Sequence, residues 1–116
     1  MAHPQIPDDF SVDANGCLAE RRSFDGIDVV LHYDDIPESD VDVIDGIRCT
    51  TALRTVIDLA AELDRPDLER MIDDCLARGL FTPGEAFARV AHPDMLGRRG
   101  AIVFAEVLSG RPAVRW

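Results

Sequence analysis

The sequence predicts an α+β fold in which N-terminal antiparallel β-hairpins, forming a meander, are followed by about four helices. Three observations predict it. First, the turn dipeptides Asn15-Gly16, Asp25-Gly26 and Asp45-Gly46 all fall in the first 50 residues, and such pairs suit two-residue hairpin turns because both positions need a positive φ. Second, beyond Thr51 the apolar spacing changes from every second residue to every third or fourth. Third, helix start and stop signals recur only in this second half. Strands first and helices second is the order of an α+β domain.

Residues 1–9 carry two prolines and read as a flexible tail, and residues 10–116 as one domain with a β-rich half (10–50) and a helical half (51–110). Ile27, Val29, Leu31 and Tyr33 alternate with Asp28, Val30 and His32, the period of a strand with one apolar face. Val41 to Ile44 and Ile47 to Cys49 flank Asp45-Gly46 as a second short hairpin, after a polar loop from Asp34 to Asp40.

The first helix carries Leu53, Val56, Ile57, Ala60 and Leu63 on one side and Arg54, Thr55, Asp58 and Glu62 on the other, with Thr51 as its cap. The second follows Asp64, takes Pro66 in its first turn and stops at Gly79, where Leu80 is placed to close a Schellman motif. Thr82-Pro83-Gly84-Glu85 is a capping box that opens a short third helix, broken at His92-Pro93-Asp94. The last helix spans about Arg98 to Ser109 and ends at Gly110 and Pro112.

Charge is unevenly placed. The chain carries a formal net charge of −10. Residues 1–50 hold 12 acids against 3 arginines, and residues 51–116 hold 10 acids against 9 arginines. Direct binding to nucleic acid needs a net positive surface, so it is not expected. No apolar run approaches a membrane span, and the N-terminus lacks the basic and apolar regions of a signal peptide, so membrane association is not expected either. Cys17, Cys49 and Cys75 are odd in number and widely spaced, which suits reduced thiols in the cytoplasm.

The usual catalytic constellations are missing from the sequence. A chain without lysine has no phosphate-loop lysine. His3, His32 and His92 stand far apart, and no serine has a nucleophile signature. Asp34, Asp35, Glu38, Asp40 and Asp42 lack the ligand spacing and central glycine of an EF-hand and read as a solvated acidic loop. The residues therefore predict no catalytic centre, metal site or cofactor. One ion pair is expected from the polar, solvent-facing side of the first helix. Arg54 and Asp58 are four apart, but arginine before the acid is the weaker order, and a cation in a first helical turn opposes the dipole. Arg54 is thus expected to reach back to a hairpin carboxylate, with Asp45 as the candidate.

The stretch Val43-Ile44-Asp45-Gly46-Ile47-Arg48-Cys49-Thr50-Thr51-Ala52-Leu53-Arg54-Thr55-Val56-Ile57-Asp58-Leu59-Ala60 resembles a recurrent segment of AbiEi-type antitoxin-like bacterial proteins, which also occurs beside Vsr-like endonuclease domains. Asp45-Gly46-Ile47, Thr50, Arg54-Thr55 and Asp58-Leu59-Ala60 carry the match, and Thr51 keeps the helix cap although Ala52 replaces a common proline. Leu80-Phe81-Thr82 and Gly97-Arg98-Arg99-Gly100 are similar to later parts of the same pattern. The resemblance implies the connecting, non-catalytic domain of such proteins, without their winged-helix and nuclease parts. It gives Asp45, Gly46, Thr51, Arg54, Thr55 and Asp58 structural roles.

On this reading the chain is a protein-interaction or antitoxin-type regulatory module. Asp34, Asp35, Glu38, Asp40 and Asp42 form the candidate surface for a toxin or another basic protein. The alternatives are an acidic decoy for a nucleic-acid-binding protein and, third, a small enzyme whose site is assembled only by folding. The sequence sets no oligomeric state.

Overall fold

A computed structural model of the chain describes residues 9–110. The tail expected over residues 1–9 lies, except for Asp9, outside them, as does His3. The fold is α+β, with strands first and helices after. Strands β1 (Phe10–Val12), β2 (Leu18–Phe24) and β3 (Ile27–His32) form one antiparallel sheet in that order, and β4 (Val41–Ile44) and β5 (Ile47–Thr50) form a second. Helices α1 (Ala52–Leu59), α2 (Arg65–Ala77), α3 (Pro83–Val90) and α4 (Arg99–Ser109) follow, with short 3-10 turns at Glu38–Asp40 and Pro93–Met95.

Two of the three turn dipeptides behave as the sequence predicts. Asp25 and Gly26 have φ of 51° and 78°, and Asp45 and Gly46 have 52° and 79°. Both pairs join strands in register, Phe24 opposite Ile27 and Ile44 opposite Ile47. The right-handed strand twist favours such turns.

Asn15-Gly16 departs from expectation. It sits in a wider loop in which the Asp13 carboxylate accepts the Asn15 and Cys17 N–H groups, each at 2.9 Å. The Gly16 N–H reaches the Asp13 carbonyl at 3.0 Å. Because Asp13 takes up these amides, Asn15 keeps a negative φ and only Gly16 turns left-handed, at 82°. The Asn15 side chain is thereby free to point at the helices.

The helices begin where their caps lie. The Thr51, Asp64 and Thr82 side chains accept the N–H groups of Arg54, Asp67 and Glu85, and at Thr82 the reciprocal bond from Glu85 completes the capping box. Helix α2 ends in a Schellman motif. Gly79 has φ 68°, Leu80 N–H bonds the Cys75 carbonyl at 3.0 Å, and Gly79 N–H bonds that of Leu76 at 3.1 Å. The Leu80 side chain stays half exposed. No side chain caps α4 at Arg98.

The core is helical. Helix α4 packs against α1, α2 and α3, and Val56, Ile57, Leu68, Ile72, Phe104 and Val107 are all buried there. Phe81 meets Phe104 edge to face, with ring centroids 6.3 Å apart. Gly100 marks the closest approach, since a Cβ there would lie 2.2 Å from the Ile57 carbonyl oxygen. Only glycine lets α4 start this close to the end of α1. Among the described strand residues, Ala19 is the one buried apolar side chain. The sheets therefore project from the helical body and do not roof it. No described helix is long and apolar enough to cross a membrane.

Candidate functional site

The densest polar chemistry lies where the loop between β3 and β4 meets α1, α3 and α4. Thr51 caps α1 and so sets Arg54 in its first turn. The loop lies over that turn because the Thr51 N–H bonds the Asp40 carbonyl at 2.8 Å. Arg54 is completely buried. This overturns its expected place on a solvent face of α1: the loop and two further arginines cover that face.

Every nitrogen of the Arg54 guanidinium has a carboxylate. Nη2 donates to Asp34 at 2.7 Å, Nη1 to Asp40 at 2.9 Å, and Nε to both oxygens of Asp58 at 3.0 and 3.1 Å. The expected partner Asp45 plays no part. It occupies the β4–β5 turn, while the loop supplies the carboxylates. The weak-order pair with Asp58 does form, held in place by the two others.

Two more arginines complete the network. Arg89 of α3 grips Asp40 through Nε and Nη2 at 2.8 and 2.6 Å, and Asp94 through Nη1 and Nη2 at 2.8 and 2.7 Å. Arg98 holds Asp34 through Nη1 and Nη2 at 2.6 and 2.5 Å. Gly97, at φ 79°, turns the chain into Arg98. Three guanidiniums thus meet four carboxylates, mostly by the two-point geometry that arginine supplies and lysine does not. Among the described residues, no buried side-chain nitrogen or oxygen lacks a partner.

The charges are locked by their neighbours. Hydrogen bonds from Arg98 hold Asp34 below the usual carboxylate range, and those from Arg89, then Arg54, do the same for Asp40, in each case against the opposing effect of burial. Arg89 depresses Asp94 strongly. Asp58 differs: burial pushes its pKa up, and Arg54 only partly restores it. Arg54 itself is penalised by burial but raised on balance by Asp40 and Asp58. Cys17 lies 3.8 Å from Arg98 Nη1, yet burial and then Asp34 raise its thiol. Burial raises Cys75 as well. Neither thiol is tuned toward a nucleophilic thiolate.

Two hollows flank the network. A groove of about 630 Å³ runs between Pro37, Leu53, Phe81 and Arg89. A smaller cleft of about 190 Å³ is lined by Asp13, His32, Asp34, Asp58 and Glu62. There His32 Nδ1 lies 2.8 Å from Asp13 Oδ2. On the groove side, His92 is exposed and bonded to Asp94 at 2.9 Å. Among the described residues, no three His, Cys, Asp or Glu side chains are arranged to hold a metal ion.

The acidic loop is divided by this arrangement. Asp34 and Asp40 were expected on a partner surface, but they are turned inward as ligands of arginine. Asp35, Glu38 and Asp42 remain exposed, with Glu38 also 2.7 Å from Arg48. Of the motif residues, Thr51 caps α1, and Thr55 Oγ1 donates to the Thr51 carbonyl at 2.8 Å and lies 2.5 Å from Thr50 Oγ1. Arg54 and Asp58 join the network, and Asp45 and Gly46 form the turn.

Sequence reasoning missed Arg89, Arg98 and Asn15. The Asn15 side chain accepts the Gly100 N–H at 2.8 Å and donates to the Asp58 carbonyl at 3.3 Å, clamping the first sheet to α1 and α4. Comparison with protein-family models, curated proteins and solved structures finds no match.

Proposed function

We propose that this chain is a non-catalytic AbiEi-like module that acts by binding another protein, in the manner of an antitoxin-type regulator. The observation that carries the reading is the pairing at its centre. The carboxylates and guanidiniums that an enzyme would need for proton transfer or anion binding are engaged with one another, and they fasten a loop to three helices. Asp35, Glu38 and Asp42 are left facing solvent on that fastened loop and the adjoining strand. A rigidly held acidic surface is suited to a basic protein partner. Three unpaired cysteines suit a reducing compartment, and we place the module in the cytoplasm.

The test is binding and rescue with the product of the neighbouring gene, expected to be a nucleotidyltransferase-type toxin. Co-expression of this chain should relieve its growth arrest. Asp35→Asn, Glu38→Gln and Asp42→Asn together should weaken binding by about tenfold or more at low salt, and less at high salt. No binding at low salt, or equal binding by the triple variant, would refute the reading. Displacement of the chain from its partner by nucleic acid would favour the acidic decoy instead.

A further inference from the structure

The first sheet has two unlike faces. The register places Val12 opposite Leu18, Leu31 opposite Glu20, Val29 opposite Arg22, and Ile27 opposite Phe24. These positions alternate with Ala19, Arg21 and Ser23, so they share one face. Side-chain bonds confirm it. Tyr33 Oη donates to Glu20 at 2.5 Å, and Arg22 Nε donates to Glu20 at 2.8 Å. On the opposite face, Ala19 is buried, and His32 lines a cleft with Asp58 and Leu59 of α1. The apolar face points away from the helices, and Val12, Leu18, Phe24, Ile27 and Tyr33 are 60, 41, 50, 66 and 45% exposed.

We infer that this face is a homodimer interface, seating a second copy of the same chain sheet against sheet about a two-fold axis. Two observations select that occupant. The first is charge. Glu20 and Arg22 are the charged side chains of this face, and they cancel. An axis through their midpoint sets Arg22 of each copy against Glu20 of the other, which makes the patch self-complementary. A basic partner finds no net charge there. The second is area. The five exposed apolar side chains present on the order of 500 Å². A face-to-face pair then buries about 1,000 Å² in total, where specific interfaces begin. The dimer is accordingly weak, with a Kd on the order of 1–100 μM. This inference does not depend on the antitoxin-type reading, which uses the acidic loop.

The experiment is sedimentation velocity on the full chain from about 1 μM to 1 mM, at low and high salt. A monomer–dimer equilibrium is expected. Added salt should strengthen it, because the two copies carry like charge of −10 each. Leu18→Glu with Ile27→Glu should shift dissociation at least about tenfold while circular dichroism stays unchanged. Glu20→Arg and Arg22→Glu should each be monomeric alone, yet form a heterodimer when mixed. A chain that is monomeric at every concentration overturns the proposal, as does a dimer untouched by Leu18→Glu with Ile27→Glu. A failure of the two charge variants to complement each other also overturns it. So does a chain that dimerises only after deletion of residues 1–8, which would make that segment the occupant.

Discussion

The Nη1 of Arg54 lies 2.9 Å from Asp40 Oδ2, with both side chains almost wholly cut off from solvent. Removing either charge from water is costly, and the cost is recovered only if the geometry is good and the remaining donors and acceptors are filled. Here they are filled. Arg89 takes the rest of Asp40, and Asp34 and Asp58 take the rest of Arg54. The pair ties the last turn before β4 to the first turn of α1, and so sets the angle between the strands and the helical body.

Of the three aspartates that share Arg54, Asp40 and Asp58 should respond differently to loss of charge. Asp40→Asn leaves the buried Arg54 and the partly buried Arg89 short of a carboxylate and should cost about 2–4 kcal/mol in urea unfolding. Asp58→Asn should cost about 1 kcal/mol or less. Asp58 already resists its charge through burial, and its side chain is one-third exposed. Equal costs for the two variants would contradict the unequal roles described here.

Stability should fall steeply in acid. Asp34, Asp40 and Asp94 have folded pKa values below the ordinary 3.8. Their contribution is therefore fully present above about pH 4–5 and is lost as pH falls through the depressed folded values. Asp58 works the other way. Its raised pKa lets the folded state take up a proton first, so the onset of acid unfolding is blunted. Urea midpoints should hold from neutral to about pH 4 and drop below it. Asp40→Asn should start lower and drop less. A midpoint that declines steadily between about pH 7 and 5 would contradict this assignment.

Gly100 and Gly97 separate crowding from backbone strain. At Gly100 a Cβ would press on the Ile57 carbonyl at 2.2 Å and on Asn15 Oδ1 at 2.9 Å. Gly100→Ala should therefore cost about 2–3 kcal/mol and loosen the clamp on the first sheet. At Gly97 there is open space but a φ of 79°, so Gly97→Ala should cost only about 1 kcal/mol. Thermal unfolding of both variants checks the order, and a milder effect at Gly100 than at Gly97 would refute it.

What was legible in the sequence was local. Asp25-Gly26, Asp45-Gly46, the Thr82 capping box and the Gly79 stop each depend on a few neighbouring residues, and each forms as expected. Asn15-Gly16 departs from the two-residue hairpin turn because Asp13, two residues earlier, captures the amides of that turn. The network was half legible. A cation at the start of α1 calls for a compensating carboxylate, which pointed correctly from Arg54 back into the β half. Asp45 is not the partner, because the partners are set by how the loop folds over α1, and Asp34 is 20 residues from Arg54. Helical periodicity then placed Arg54 in solvent, since a charged residue on a polar face gives no local sign that another element will cover it. An available signal was an all-arginine set of cations facing an aspartate-rich loop, the composition of two-point ion pairs.

The most direct test of the central claim, that this network is a scaffold of the fold, is urea unfolding of Arg54→Ala. The variant leaves Asp34, Asp40 and Asp58 without their shared counter-charge in a buried setting. The expected result is a loss of about 3–5 kcal/mol, or a chain that no longer folds cooperatively. An Arg54→Ala chain that unfolds at the same urea concentration as the unaltered protein would contradict the account.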